Sequence, residues 1–276
     1  MQVGIIGLGL MGGSLGLALK KSRFFKRILG YDNNPMHLQQ ALSLGLIDEG
    51  AELKEIKECD VIFLATPVQS IIDMISHLED VPPNCCIIDL GSVKEKILKN
   101  IPQALRKNFV GAHPMCGTEL NGPRAAVENL YENKIVILTD LEESGEFQTA
   151  IAKEVFISIG MQIIKLDSRS HDCHIALISH LPHIISFALA NTVLTEEKKE
   201  MILALVGGGF RDMSRISKSS PLLWRDIFKQ NKDNLLDALK KFNAELEYAQ
   251  NLIMSEKWQE LEEWLRKANI LQSFLS

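Results

Sequence analysis

Residues 7–12 read GLGLMG, directly after the strand-like run QVGII (2–6) and at the head of a helical pattern that runs through Leu19. A lone GxGxxG is weak, but strand before and helix after is the context the motif needs. Gly7 permits the tight turn, Gly9 lets a pyrophosphate approach the backbone, and Gly12 lets the helix close on the strand. Leu10 and Met11 fall at the helix N-terminus, whose free N–H groups and partial positive charge suit an anion. The second strand, RILGY, ends at Asp32, about 20 residues further on, where an acidic side chain can bond the adenosine ribose hydroxyls. Asn33-Asn34-Pro35 follow, with no arginine placed for a 2'-phosphate, so the pattern favours NAD over NADP. Thr66 and Pro67, after VIFLA, belong to another loop expected at the carboxyl edge of the sheet and against the cofactor. The alternative is a glycine-rich turn that binds nothing.

Outward from this motif, short apolar runs alternate with helical patterns: QVGII and MGGSLGLALKK, RILGY and MHLQQALSLG, CDVIFLA and QSIIDMISHL, CCIIDL and KEKILKNI. That alternation predicts an α/β domain with a mainly parallel, doubly wound sheet. FVGAH, KIVIL and MQIIKL extend the sheet, and after Asp167 the strand signal stops. The expected division is a dinucleotide-binding domain over 1–167 and an all-α domain over 168–276. In the helical part Leu235, Leu239, Phe242, Leu246, Ala249 and Ile253 form a heptad-like stripe, read as core, dimer seam or both. The window IALISHLPHIISFALANTVL (175–194) has the length and apolarity of a membrane span. Its His180, Pro182, His183 and Asn191 favour a helix in a subunit interface, so a homodimer through the helical domain is expected.

The chain has 276 residues, is 46% hydrophobic and carries a net charge of -5, as expected of a soluble globular protein. Mild acidity without a basic run argues against nucleic acid and membrane surfaces as partners and for a small molecule or a second subunit. Five cysteines, two adjacent and none in a CxxC pair, argue against a disulfide framework or structural zinc site. No secretory leader pattern opens the chain, so a cytoplasmic enzyme is expected.

Three further stretches carry polar side chains next to apolar strands or helices: DLGSVK (89–94), GAHPMCGTE (111–119) and SHLPH (179–183). With GLGLMGGSLGLAL, TPV and GGGFRDMSRI they occur in an order that resembles the prephenate and arogenate dehydrogenase family of tyrosine biosynthesis, from residue 3 to about 231. The resemblance implies NAD-linked oxidative decarboxylation of prephenate to 4-hydroxyphenylpyruvate, with hydride leaving the ring carbon that bears the hydroxyl. It gives His113 the hydrogen bond from that hydroxyl, a role that needs a neutral imidazole. Ser92 maps onto the family serine that contacts the same hydroxyl and the nicotinamide end; its plain alternative is a helix N-cap before Val93. Cys116, Asn121 and Ser214 depart from residues common in the family, and none removes a group the chemistry needs.

In SHLPH, Ser179, His180 and His183 project to one side of a continuous helix, with Pro182 expected to kink it. By resemblance His183 contacts the substrate, and Ser179 and His180 line its pocket. Prephenate carries two carboxylates, which planar guanidinium groups bind in bidentate fashion. Arg211 and Arg215 stand one helical turn apart; the resemblance gives Arg215 the side-chain carboxylate, while Arg211 could instead pair with Asp212 or Asp226. Three rival readings stand beside this one: arogenate as substrate, a non-catalytic NAD sensor, and a metal site built from His171, His174, His180 and His183, for which the sequence offers no established ligand pattern.

Overall fold

The computed structural model of the chain describes residues 1–118 and 120–275. Its first half is one eight-stranded sheet, formed by β1 (Gln2–Ile6), β2 (Arg27–Tyr31), β3 (Glu49–Gly50), β4 (Val61–Leu64), β5 (Cys86–Asp89), β6 (Phe109–Pro114), β7 (Ile135–Thr139) and β8 (Gln162–Leu166). The order across the sheet is β3-β2-β1-β4-β5-β6-β7-β8, with every pairing parallel except β6 with β7. The central strands VIFL and CIID are buried throughout, as strands covered on both faces must be.

Side chains alternate between two apolar layers. Val3, Ile5, Val61, Phe63 and Ile88 pack on one face with Leu15 and Leu19 of α1 (Leu10–Ser22) and with Val155 and Phe156 of the long helix Glu146–Ser158. Ile6, Ile62, Leu64 and Ile87 pack on the other with Ile56, Ile71, Ile75 and Ile97. Those residues come from α3 (Leu53–Lys57), α4 (Val68–Ile75) and α5 (Glu95–Lys99); α2 (Pro35–Ser43) precedes them, and Glu146–Ser158 is α6. Strand order reverses about β1 and β4, which makes the crevice outside their carboxyl ends the place where such a sheet takes a ligand.

Beyond β8 the chain is helical: α7 (Ser168–Ile175), α8 (Leu181–Leu194), α9 (Lys199–Ala204), α10 (Gly208–Ser214), α11 (Pro221–Gln230), α12 (Lys232–Met254), α13 (Trp258–Asn269) and α14 (Gln272–Leu275). By packing, the chain forms two compact units, Met1–Asn231 and Lys232–Ser276. Residues 168–231 pack with the sheet in the first unit: Asp172 accepts the backbone N–H groups of Lys94 and Glu95, and Asn231 donates to the Asp172 carbonyl. In the second unit, the Trp264 indole donates to Glu245 at 2.8 Å, tying α13 to α12. Of the heptad-like stripe on α12, Leu235 is buried, Leu239, Phe242 and Ala249 half-buried, and Leu246 and Ile253 exposed.

Helix runs without a break from Ser168 to Leu194, long and apolar enough to cross a membrane, with 22% of its apolar window buried in the single chain. Its irregularity is a π turn over Ala176–His180, placed just before Pro182 in the first turn of α8. A proline there needs no N–H partner, and the widened turn admits its ring, so the distortion is a bulge where the sequence suggested a simple kink.

Candidate active site

The crevice at β1 is shaped for a dinucleotide. Gly7 has φ +93° and donates to the Tyr31 carbonyl at 2.8 Å; a Cβ there would meet Thr66 and the Ala65 carbonyl. A Cβ on Gly12 would lie 1.9 Å from the Gly7 carbonyl oxygen, so helix and turn close only without one. Gly9 is the N-cap of α1, supplies no side-chain cap, and has nothing within 4 Å of where its Cβ would be. The N–H groups of Leu10 and Met11 therefore begin the helix beside open space. Across the crevice, Thr66 Oγ1 is buried without a protein partner, and Pro67 caps α4. Asp32 accepts from Leu8 N and Asn34 N, each at 2.9 Å, which ties the second strand's end to the glycine turn. The cradle, the orphan hydroxyl and the fixed carboxylate together fit an adenine dinucleotide.

A short distance along the same edge, β6 presents His113. The antiparallel pairing of β6 with β7, His113 opposite Ile137, fixes its backbone. Its Nδ1 lies 2.9 Å from His171 Nε2, and His171 Nδ1 lies 2.7 Å from Asp172 Oδ1. Burial, reinforced by His171, Lys94 and His180, holds the His113 imidazole well below the usual histidine range, so it is neutral at working pH. Beneath it, fully buried Lys94 donates to Asp89 and, at 2.8 Å, to the Ala112 carbonyl, while Asp89 accepts from Gly91 N and Ala112 N. Burial pushes the Asp89 carboxyl up and the Lys94 amine down, and the contact between them opposes both shifts. The loop they bracket carries Ser92, half-buried at the end of β5.

His113 forms part of the wall of a cleft of about 400 Å³. The opposite wall includes Ser179, His183, Arg215 and Trp224. His183 donates from Nδ1 to the Ser179 carbonyl at 2.9 Å, and it stacks on Trp224 with ring centroids 3.5 Å apart. Burial, then the nearby Arg215 charge, holds His183 below its ordinary range against the pull of the Ser179 carbonyl. Arg215 opens a short helical turn, Arg215–Lys218, and is exposed toward the cleft.

The structure thus brings His113, Ser179, His183 and Arg215 around one cleft and places Gly7, Gly9, Leu10, Met11, Gly12, Asp32, Thr66 and Pro67 at the β1 crevice. It does not bring His180 or Arg211 into the cleft wall. His180 is buried behind it, 3.2 Å from Asn231 and edge-on to Trp224, because the π turn rotates it inward. Arg211 is exposed on α10, and Asp226, one of its suggested partners, instead accepts from Gln230 and Gln69. Nor is Ser92 a helix cap: α5 starts at Glu95, and the Asp172 carboxylate receives its first N–H groups. Residues that sequence reasoning passed over include Lys94, Asp172 and Trp224; His171 entered only beside His174, His180 and His183 in the rival metal reading. Among the described residues, no three His, Cys, Asp or Glu groups converge as a metal site would require.

These features define a dinucleotide-linked dehydrogenase with a basic, histidine-bearing cleft beside the cofactor crevice. The family model described as prephenate dehydrogenase, nucleotide-binding domain, matches residues 15–165, and that described as prephenate dehydrogenase, dimerization domain, matches 167–267. The chain is 34% identical to a prephenate dehydrogenase of Bacillus subtilis, over 96% of this chain and 73% of that protein. It is 33% identical to a cyclohexadienyl dehydrogenase of Zymomonas mobilis, over 92% and 89%. Among solved structures, a prephenate dehydrogenase from Aquifex aeolicus in complex with hydroxyphenyl propionate and NAD+ superposes with a TM-score of 0.94 at 35% identity, covering 100% of this chain and 98% of that one. A Synechocystis arogenate dehydrogenase matches with a TM-score of 0.85 at 30% identity over the whole of both chains. The chain belongs to the prephenate dehydrogenase family.

Proposed function

We propose that the protein catalyses the NAD-dependent oxidative decarboxylation of prephenate to 4-hydroxyphenylpyruvate, as a cytoplasmic homodimer assembled through residues 168–276. The observation that carries this reading is the neutral His113 in the wall of a cleft whose other side holds Arg215. Bound at the glycine turn, NAD supplies the hydride acceptor. His113 accepts the hydrogen bond of the ring hydroxyl and carries off its positive character as hydride leaves and the carbonyl forms, the proton returning to that oxygen as CO2 departs and the ring becomes aromatic, with Ser92 as a second contact to that hydroxyl. Arg215 holds the side-chain carboxylate, and His183 and Ser179 contact the rest of the substrate. The depressed basicity of His113 suits an acceptor that must be unprotonated when substrate arrives.

Dimerisation through the helical half is supported by the apolar face of Ser168–Leu194 and the half-covered stripe on α12. Arogenate is the second reading, favoured by the full-length match to an arogenate dehydrogenase. NADH absorbance after mixing the protein with NAD and prephenate, with arogenate and NADP in parallel, tests both. Prephenate with NAD is expected to give the largest kcat/KM; turnover of arogenate alone would reassign the substrate, and none in any mixture would overturn the reaction. A folded His113→Asn variant that still binds NAD and keeps normal turnover would remove His113 from its role.

A further inference from the structure

His113 has two ring nitrogens, and only one arrangement of protons makes it useful as an acceptor. Its Nδ1 faces His171 Nε2 at 2.9 Å, and no protein partner is assigned to its Nε2 among the described residues. Which of the two nitrogens bears the proton is decided further along the chain of contacts. Asp172 Oδ1 accepts the Lys94 N–H at 2.8 Å and Oδ2 accepts the Glu95 N–H at 2.9 Å, so the carboxylate is held at the N-terminus of α5 as an acceptor. The same Oδ1 is 2.7 Å from His171 Nδ1. Setting the lone pair of His171 Nδ1 against that carboxylate would be repulsive, so Nδ1 carries the proton. With the ring proton of His171 on Nδ1, its Nε2 is the acceptor that faces His113 Nδ1 at 2.9 Å, and His113 donates to it from Nδ1. The remaining nitrogen of His113, Nε2, is left with a lone pair.

We infer that Asp172 and His171 are positioning residues that hold His113 in the Nδ1–H tautomer and in one ring orientation, so that its Nε2 accepts from the substrate. Neither touches the cleft: both are buried, and neither is part of its wall. They act through His113 alone. The ring planes of His113 and His171 cross at 72°, an edge-on arrangement in which the two nitrogens meet at 2.9 Å. Asn231 donates to the Asp172 carbonyl at 2.8 Å and so anchors the backbone of the pair. This inference rests on His113 being the acceptor in the proposed reaction, and the test separates the two ideas.

Histidine-selective 15N NMR on the full chain at neutral pH reports the tautomer directly, with the His113 signal assigned by its loss in His113→Asn. Protonated Nδ1 and bare Nε2 are expected; the reverse tautomer would overturn the inference. In parallel, His171→Phe keeps the ring's bulk and removes the acceptor, while His171→Gln retains a carbonyl that can receive the His113 N–H. His171→Phe should lower kcat by about 10- to 100-fold with the KM for NAD unchanged, the order seen when the group that orients a working imidazole is removed. His171→Gln should recover most of that loss. Normal kcat in His171→Phe together with an inactive His113→Asn would refute the positioning pair and leave His113 in place. An active His113→Asn would instead remove the acceptor role itself. If His171→Phe fails to fold, the tautomer measurement on the unaltered chain still decides.

Discussion

Replacing Lys94 by methionine should cost stability out of proportion to the change in shape. The Lys94 amine is fully buried and donates to Asp89 and to the Ala112 carbonyl. Methionine fills nearly the same volume but leaves Asp89 with only the N–H groups of Gly91 and Ala112, at 3.1 and 3.3 Å, and the Ala112 carbonyl without the amine. Stripping one partner from a buried ion pair costs about 3–5 kcal/mol, because the survivor remains desolvated and uncompensated. Asp89 is fully buried at the end of a central strand and has no route to solvent, so the upper part of that range applies. The double variant Asp89→Leu with Lys94→Met removes both charges and should recover at least about 2 kcal/mol of the loss, since an apolar pair of similar volume is often neutral against a buried ion pair. Urea melts at neutral pH, read by circular dichroism, give both values. A loss under about 1 kcal/mol in Lys94→Met, or a double variant less stable than the single, would show that the pair is not the uncompensated-charge trap described here.

Arg215→Gln should raise the KM for prephenate by tens-fold with kcat much less affected, since a charge-assisted pair contributes about 1.5–3 kcal/mol; steady-state kinetics with an unchanged KM would take Arg215 out of the site. Gly12→Ala should abolish NAD binding or folding, because its Cβ would sit 1.9 Å from the Gly7 carbonyl; calorimetric titration with NAD showing normal affinity would contradict the close approach. Acid should destabilise the fold through its buried histidines. Burial lowers His180 from 6.5 to about 4, with Asp172 opposing and His171 and His183 adding, while Trp224 and Asn231 cover the ring. The unfolded chain takes up that proton near pH 6.5 and the folded one only near 4, so the loss begins as pH falls below about 6.5 and reaches about 3 kcal/mol from this group by pH 4. His113 shifts in the same direction and deepens the loss. Urea midpoints that stay level between pH 7.5 and 5 would be inconsistent with neutral burial. Light scattering at micromolar concentration should return the mass of a dimer, and a monomer there would leave the apolar face of Ser168–Leu194 unexplained.

The sheet was legible because its evidence is local. QVGII followed by GLGLMG needs no partner to be read, and VIFL and CIID are apolar throughout because both faces of those strands are covered. β3 escaped because Glu49–Gly50 is only two residues long and carries no apolar alternation, its pairing imposed by β2. The antiparallel β7 looked like any other strand; direction is set by the path of the chain between Pro114 and Ile135, to which hydrophobic period is blind. The same divide runs through the site. His113, His183 and Arg215 sit in motifs, but the role of Asp172 depends on α7 being laid against the start of α5, a contact between residues far apart in sequence. His180 was misplaced for a related reason: helical spacing assumes a regular turn, and the π turn at Ala176–His180 swings it into the interior.

Asp172 is where these threads meet. Its two oxygens bind the N–H groups that begin α5, immediately after the loop bearing Ser92, and one of them also holds His171 against His113. Lys94 extends the same network downward to Asp89 and to the Ala112 carbonyl, one residue before His113. Ser92 lies in the loop after β5 and His113 on the neighbouring β6, and the hydrogen bonds of the buried layer beneath them tie the two segments together. Hydrogen bonds fix direction as well as distance, and in a site of low polarity each costs heavily to break. A displacement at Asp172 should therefore move both groups together, so Asp172→Ala should lose more activity than either connection alone would explain, because it releases at once the two groups proposed to contact the hydroxyl.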